Sequence, residues 1–221
     1  MNSGFHRFVS VISHEKLRLL YVLSLRGKEG ERNKVVIFSV ANDGRLTRKK
    51  QLPIEHGSAY ASFDRTGRFL LSVSYFEGHV DVYRLDEDGN PAHVGTTFEH
   101  RNQAHSVLTA PDNRSVYVPY VKDNNAMFQY RFDPQSGALQ PLDPPQVEVP
   151  AGVGPRHVAF HPTRPFVFFS NEQRLGVTSY RMAKDGRLSL VQVCDPGRLK
   201  PELTLASCPV HQARLRSTHQ I

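Results

Sequence analysis

Tryptophan is absent from this sequence of 221 residues, methionine occurs three times and cysteine twice. The two cysteines, Cys194 and Cys208, sit late in the chain without paired-ligand spacing, so neither a disulfide framework nor a zinc site is indicated. No apolar run approaches the ~18 residues that a membrane-spanning helix needs. The opening MNSGFHRFVSVISHEKLRLLYVL interrupts its apolar runs with His, Arg, Glu and Lys, and it lacks the continuous apolar core and cleavage site of a secretory signal. A cytoplasmic location and no membrane partner are the expectations. Motifs for covalent chemistry are missing too: there is no Gly-x-Ser-x-Gly elbow, no cysteine in a nucleophile's setting and no glycine-rich phosphate loop. Any hydrolysis would have to use an activated water.

Against these absences stand 13 Phe, 8 Tyr and a hydrophobic content of 39%, enough for a folded core. The net charge of +7 raises the question of a nucleic-acid partner. The positive residues are scattered, with Arg48–Lys50 the densest group, and no nucleic-acid-binding motif accompanies them, so none is expected. A small anionic ligand suits the same charge.

A unit of about fifty residues recurs four times. It has a short apolar strand, a polar turn, a second apolar strand, a third strand alternating in period two, a Gly-containing turn and a fourth strand. The first turns read SHEK, DRTG, PDNR and HPTR, starting at Ser13, Asp64, Pro111 and His161. The third strands read KVVIFSV, HVDVYRL, AMFQYRF and GVTSYRM. The glycines that follow, Gly44, Gly89, Gly137 and Gly186, lie 45, 48 and 49 residues apart. Asp-Gly between alternating strands marks a hairpin turn, because the turn needs positive φ. Four antiparallel strands per repeat, with no helical pattern between them, predict an all-β fold, a β-propeller of four-stranded antiparallel blades. A pair of β-sandwiches would have no reason to repeat its turn chemistry at a fixed period.

In a blade the first strand lines the central channel and the second returns antiparallel to it, so the start of one meets the end of the other at the same mouth. GPRHVAFHPTRPFVFFSNE therefore brings Arg156 and His157 toward Asn171 and Glu172. In the preceding unit QAHSV starts a channel strand with His105, and VKDNN ends the return with Lys122 and Asp123. Such a cluster can hold an anionic substrate and move a proton. Two plainer readings stay open: an Arg156–Glu172 ion pair that ties strands together, and a His105 that is a hydrogen-bonded core histidine. His157 and His161 would lie about 13 Å apart on a strand, too far to share a metal ion, so His161 is assigned to the turn and no metal is expected.

The stretches QAHSVLTAPDNRSVYVPYVKDN, FQYRFDPQSGAL and AGVGPRHVAFHPTRPFVFFSNE resemble the seven-bladed β-propeller lactonases of the bacterial 6-phosphogluconolactonase type, over roughly residues 18–193. The resemblance implies hydrolysis of 6-phospho-D-glucono-1,5-lactone to 6-phosphogluconate, a step of the pentose phosphate pathway, with no metal or organic cofactor. It implies His105, Arg156 and Glu172 as catalytic residues, and His157, Asn171 and Lys122 as substrate-binding residues are expected beside them. A non-catalytic module that captures a sugar phosphate or a protein segment is the alternative. Tyr60 stands where the family pattern leads one to expect a histidine. Seven blades would take roughly 340 residues, whereas four units are legible here. A partial propeller over 1–193 and a divergent, irregular tail over 194–221 are the expected organisation, that of a truncated member.

Overall fold

The structure is a computed structural model, and it describes residues 7–26, 31–98 and 101–195. Within them the chain forms four antiparallel sheets of four strands, each built from consecutive strands. The first holds β1 (Arg7–His14), β2 (Leu19–Arg26), β3 (Lys34–Val40) and β4 (Leu46–Pro53). The second holds β5 (Tyr60–Phe63), β6 (Phe69–Val73), β7 (His79–Leu85) and β8 (Pro91–Phe98). The third holds β9 (Leu108–Thr109), β10 (Ser115–Tyr120), β11 (Ala126–Phe132) and β12 (Leu139–Gln146), with a 3-10 turn at Lys122–Asn124. The fourth holds β13 (Pro155–Phe160), β14 (Phe166–Asn171), β15 (Gly176–Met182) and β16 (Leu188–Cys194). These are the four repeats, with the predicted strand order in each. The tail expected beyond them lies outside the described residues from position 196 onward.

The middle strands of the second and third sheets are apolar on both faces because these two sheets are each packed between two neighbours. All five residues of β6 and all six of β10 are buried. Outer strands such as β4 alternate little and are nearly all exposed. Three apolar clusters join the sheets in series. Leu19, Tyr21, Leu23 and Ile37 of the first blade meet Ala61, Leu70 and Tyr83 of the second. Phe69, Leu71 and Val82 meet Val116, Tyr120 and Phe128 of the third. Tyr117 and Met127 meet Val167, Phe169 and Tyr180 of the fourth. Each fully buried side chain of this size contributes about 1.5–3 kcal/mol, so the cores between blades hold the array together.

A directional clasp adds register. The turn between the third and fourth strands of one blade sits against the second strand of the blade before it. Tyr21 Oη donates to the Gly89 carbonyl at 2.7 Å, and Tyr117 Oη donates to the Gly186 carbonyl at 2.6 Å. Gly137 occupies the same place over Phe69, where an added Cβ would lie 2.5 Å from the ring. Its φ of 85° is also one that other residues rarely adopt. At the rim where the first turns gather, Asn113 Nδ2 donates to Asp64 and Asn113 Oδ1 accepts from the Arg65 amide, both at 2.8 Å, which links the second and third blades.

Candidate active site

The opposite rim carries the starts of the first strands, the ends of the second strands and the crossovers between blades. β13 and β14 pair antiparallel with Pro155 opposite Asn171, so Arg156 and Glu172 arrive at one edge as the sequence predicts. The register slips by one residue between Pro155 and Val158, a β-bulge on β13. Ordinary alternation would send Arg156 and His157 to opposite faces. The bulge lets both reach toward the third blade: Arg156 bonds His105, and the His157 ring lies 5.1 Å from the His105 ring.

His105 itself is not inside a regular strand. β9 is reduced to two residues, and the chain before it is held by a bridge between Ala104 and Tyr120 and by the His105 amide donating to the Pro119 carbonyl at 3.0 Å. Ser106 Oγ donates to the Arg156 carbonyl at 2.7 Å, which couples this segment to β13.

Arg156 is the centre of the cluster. Its Nε–H donates to His105 Nε2 at 3.0 Å, and the same nitrogen lies 2.9 Å from Glu172 Oε2 in an ion pair. His105 Nε2 therefore accepts, and Nδ1 carries the ring hydrogen. That Nδ1 is buried and has no hydrogen-bond partner among the described residues. Burial first, then the Arg156 and His157 charges, push the His105 pKa down to about 4, which keeps the ring neutral. Partial burial and the Arg156 cation also hold His157 below its ordinary value. The second Glu172 oxygen accepts from Gln173 Nε2 at 3.0 Å.

Lys122 joins from the loop after β10. Its φ is 53° and that of Asn125 is 37°, left-handed conformations held by side-chain contacts to the next blade. The Lys122 amide donates to Gln173 Oε1 at 2.8 Å, and Asn125 bridges the Gly154 amide and the Pro150 carbonyl. Lys122 Nζ lies 5.7 Å from the Tyr75 ring centre, and Tyr75 in turn edges the His105 ring at 6.1 Å. Its pKa is raised, chiefly by the Tyr75 hydroxyl and further by Glu172. Tyr60 of β5 faces His157 at 6.1 Å, so Tyr60, His105 and His157 follow one another from three successive blades.

Five of the six predicted residues thus meet: His105, Arg156, Glu172, His157 and Lys122. Asn171 does not join them. It is 7% exposed, and its Oδ1 accepts from Thr178 Oγ1 within the blade. Asn171 closes β14 while Glu172 lies in the turn beyond it, which sets the two side chains in different surroundings. His161 serves the turn, its Nδ1 accepting from the Thr163 and Arg164 amides at 3.1 Å. Tyr75 and Gln173 were missed because nothing in their local sequence marks them.

The family description lactonase, 7-bladed β-propeller matches residues 8–212. The chain belongs to that family. This lactonase-family chain is 37% identical over 187 residues to a 6-phosphogluconolactonase of Cronobacter sakazakii, covering 84% of the chain and 54% of that protein. A 6-phosphogluconolactonase of an Enterobacter strain is 34% identical over the same coverage. Among solved structures, the periplasmic gluconolactonase of Pseudomonas aeruginosa superposes with a TM-score of 0.73 at 26% identity, over 89% of this chain and 58% of that one. The chain spans about half the length of the relatives it matches, in keeping with four blades of a seven-bladed plan.

Proposed function

We propose that this chain carries the site of a lactone hydrolase acting on 6-phospho-D-glucono-1,5-lactone, with 6-phosphogluconate as product and a role in the pentose phosphate pathway. The observation that carries this reading is the grip on Arg156. His105 and Glu172 hold the guanidinium through Nε, which leaves the two Nη groups for a ligand at a side chain 43% exposed. The names of the relatives give the substrate class.

In this mechanism the Arg156 Nη groups polarise the lactone carbonyl and stabilise the oxyanion that forms when water adds to it. His157, accessible and neutral, takes the proton of that water and returns it to the ring oxygen as the C–O bond of the lactone breaks. His105 holds Arg156 in place, and Lys122 receives the phosphate. No covalent intermediate is needed. A cytoplasmic setting fits a phosphorylated substrate, whose charge keeps it from crossing a membrane unaided. Among the described residues no helix is long and apolar enough to span one.

The test is base consumption at constant pH with freshly prepared lactone. Faster release of acid than in buffer, with the phosphorylated lactone preferred over glucono-1,5-lactone, is expected. No acceleration overturns the reading. A second reading, capture without turnover, draws on the closed Arg156–Glu172 ion pair; saturable binding of 6-phosphogluconate with no acceleration would select it.

A further inference from the structure

On the same rim, one blade away, the crossover into the second blade brings His56 against β7. The His56 and His79 rings stack with centres 3.7 Å apart and planes inclined by 13°. Glu77, in the turn between β6 and β7, completes a group in which one ligand atom from each of His56, Glu77 and His79 lies within 4.8 Å of the others. Two imidazoles and a carboxylate are the donor set of a zinc-type centre that keeps one position open.

Behind the group lies a feature that ordinary histidine packing does not require. His56 Nδ1 faces both carboxylate oxygens of Asp81, at 3.1 and 3.0 Å, and Asp81 is only 1% exposed. A carboxylate only accepts, so Nδ1 carries the hydrogen and Nε2 keeps its lone pair. A buried carboxylate that fixes the tautomer and orientation of a ligating histidine is the supporting partner of metal-bound imidazoles. Asp81 is anchored in turn by Thr96 Oγ1, which donates to Oδ1 at 2.5 Å. Glu77 is exposed, with one oxygen accepting from Ser74 Oγ at 3.1 Å, and it borders an open hollow of about 270 Å³ with Gly57, Ser74 and Phe76.

We propose that His56, Glu77 and His79 bind a divalent transition-metal ion of the zinc type, with Asp81 orienting His56. Metal–donor bonds of roughly 2.0–2.2 Å place tetrahedral donors about 3.3 Å apart. The group closes to that spacing by rotation of an imidazole out of its stack about Cβ–Cγ, a soft torsion, and by a swing of the Glu77 side chain. The site ties the crossover at one blade boundary to β7 of the blade it leads into. It lies apart from Arg156 and its partners and owes nothing to the lactone chemistry.

The experiment uses the untagged full chain, stripped with chelator and titrated with Zn²⁺ against a chromophoric competitor. One zinc per chain is expected. Glu77→Gln, at an exposed position that leaves the fold intact by circular dichroism, should weaken binding about tenfold or more, and Asp81→Asn about 10–100-fold. His79→Gln should abolish it. Replacing Cys194 and Cys208 by serine should leave affinity and stoichiometry unchanged, and Co²⁺ should give visible d–d bands without a thiolate charge-transfer band. Absence of stoichiometric zinc overturns the proposal. So does zinc binding that is indifferent to Glu77→Gln and His79→Gln, or that disappears with the cysteines.

Discussion

Arg156 and His105 share a hydrogen bond in which the guanidinium Nε–H donates to the imidazole Nε2 at 3.0 Å. A histidine that accepts from a permanent cation is hard to protonate, and this one lies on a different blade from its partner. The bond therefore acts twice: together with burial it keeps His105 neutral, and by engaging Nε it leaves the Nη groups for a ligand.

Replacing Arg156 should show which of its atoms matter. Arg156→Ala is expected to lower kcat/KM for the phosphorylated lactone by about 10²–10³, the loss typical of removing a donor to a developing oxyanion. Arg156→Lys should recover little, because an ammonium cannot bond His105 and Glu172 through one edge and a ligand through the other. Near-complete rescue by lysine in the pH-stat assay would reduce the role to simple charge.

His157 is assigned the proton transfer. His157→Gln should lower kcat by about 10²–10⁴ with a small effect on KM. Since its pKa is held below the usual ~6.5, the wild-type rate should stay level as pH falls toward that value and decline only further into acid. A variant that raises KM and spares kcat would move His157 from proton transfer to binding.

Stability should also depend on pH through His105. The folded ring titrates near 4, the unfolded one near the usual value of about 6.5. Between those values the unfolded chain binds the proton and the folded chain does not, so stability rises with pH across the window and falls as pH drops through it. Glutamine can still accept from Arg156 but cannot titrate. In urea unfolding at pH 7.5 and pH 5, His105→Gln should lose less stability between the two than wild type does; equal losses would contradict the assignment.

The clasp between blades gives a prediction remote from the site. Tyr117→Phe removes the donor to the buried Gly186 carbonyl and should cost about 1–2 kcal/mol in urea unfolding without changing lactonase kinetics. Tyr21→Phe, which frees the Gly89 carbonyl, should behave alike. An effect near zero for both would mean that apolar packing alone sets blade register.

The repeat was legible because its signals are local. Asp-Gly turns, period-two strands and a fixed spacing each arise from a few adjacent residues, and four copies reinforce one another. The meeting of His105, Arg156 and Glu172 followed from topology, since antiparallel strands return to the edge they left. Three features were hidden. Asn171 was grouped with Glu172, whereas its Oδ1 accepts from Thr178 Oγ1 inside the blade. His105 was placed at the head of a strand that is only two residues long and begins at Leu108. His56 and His79 are 23 positions apart with no motif between them, and only the crossover lays one ring on the other.

The slipped register of β13 leaves the mouth open to a very small genetic lesion. Loss of a single codon between those for Pro155 and Val158 would iron the strand flat, and every blade could still assemble. One of the two side chains that now reach His105, Arg156 or His157, would be lost with its codon. A protein of that kind would be well folded and abundant, yet blind to its ligand.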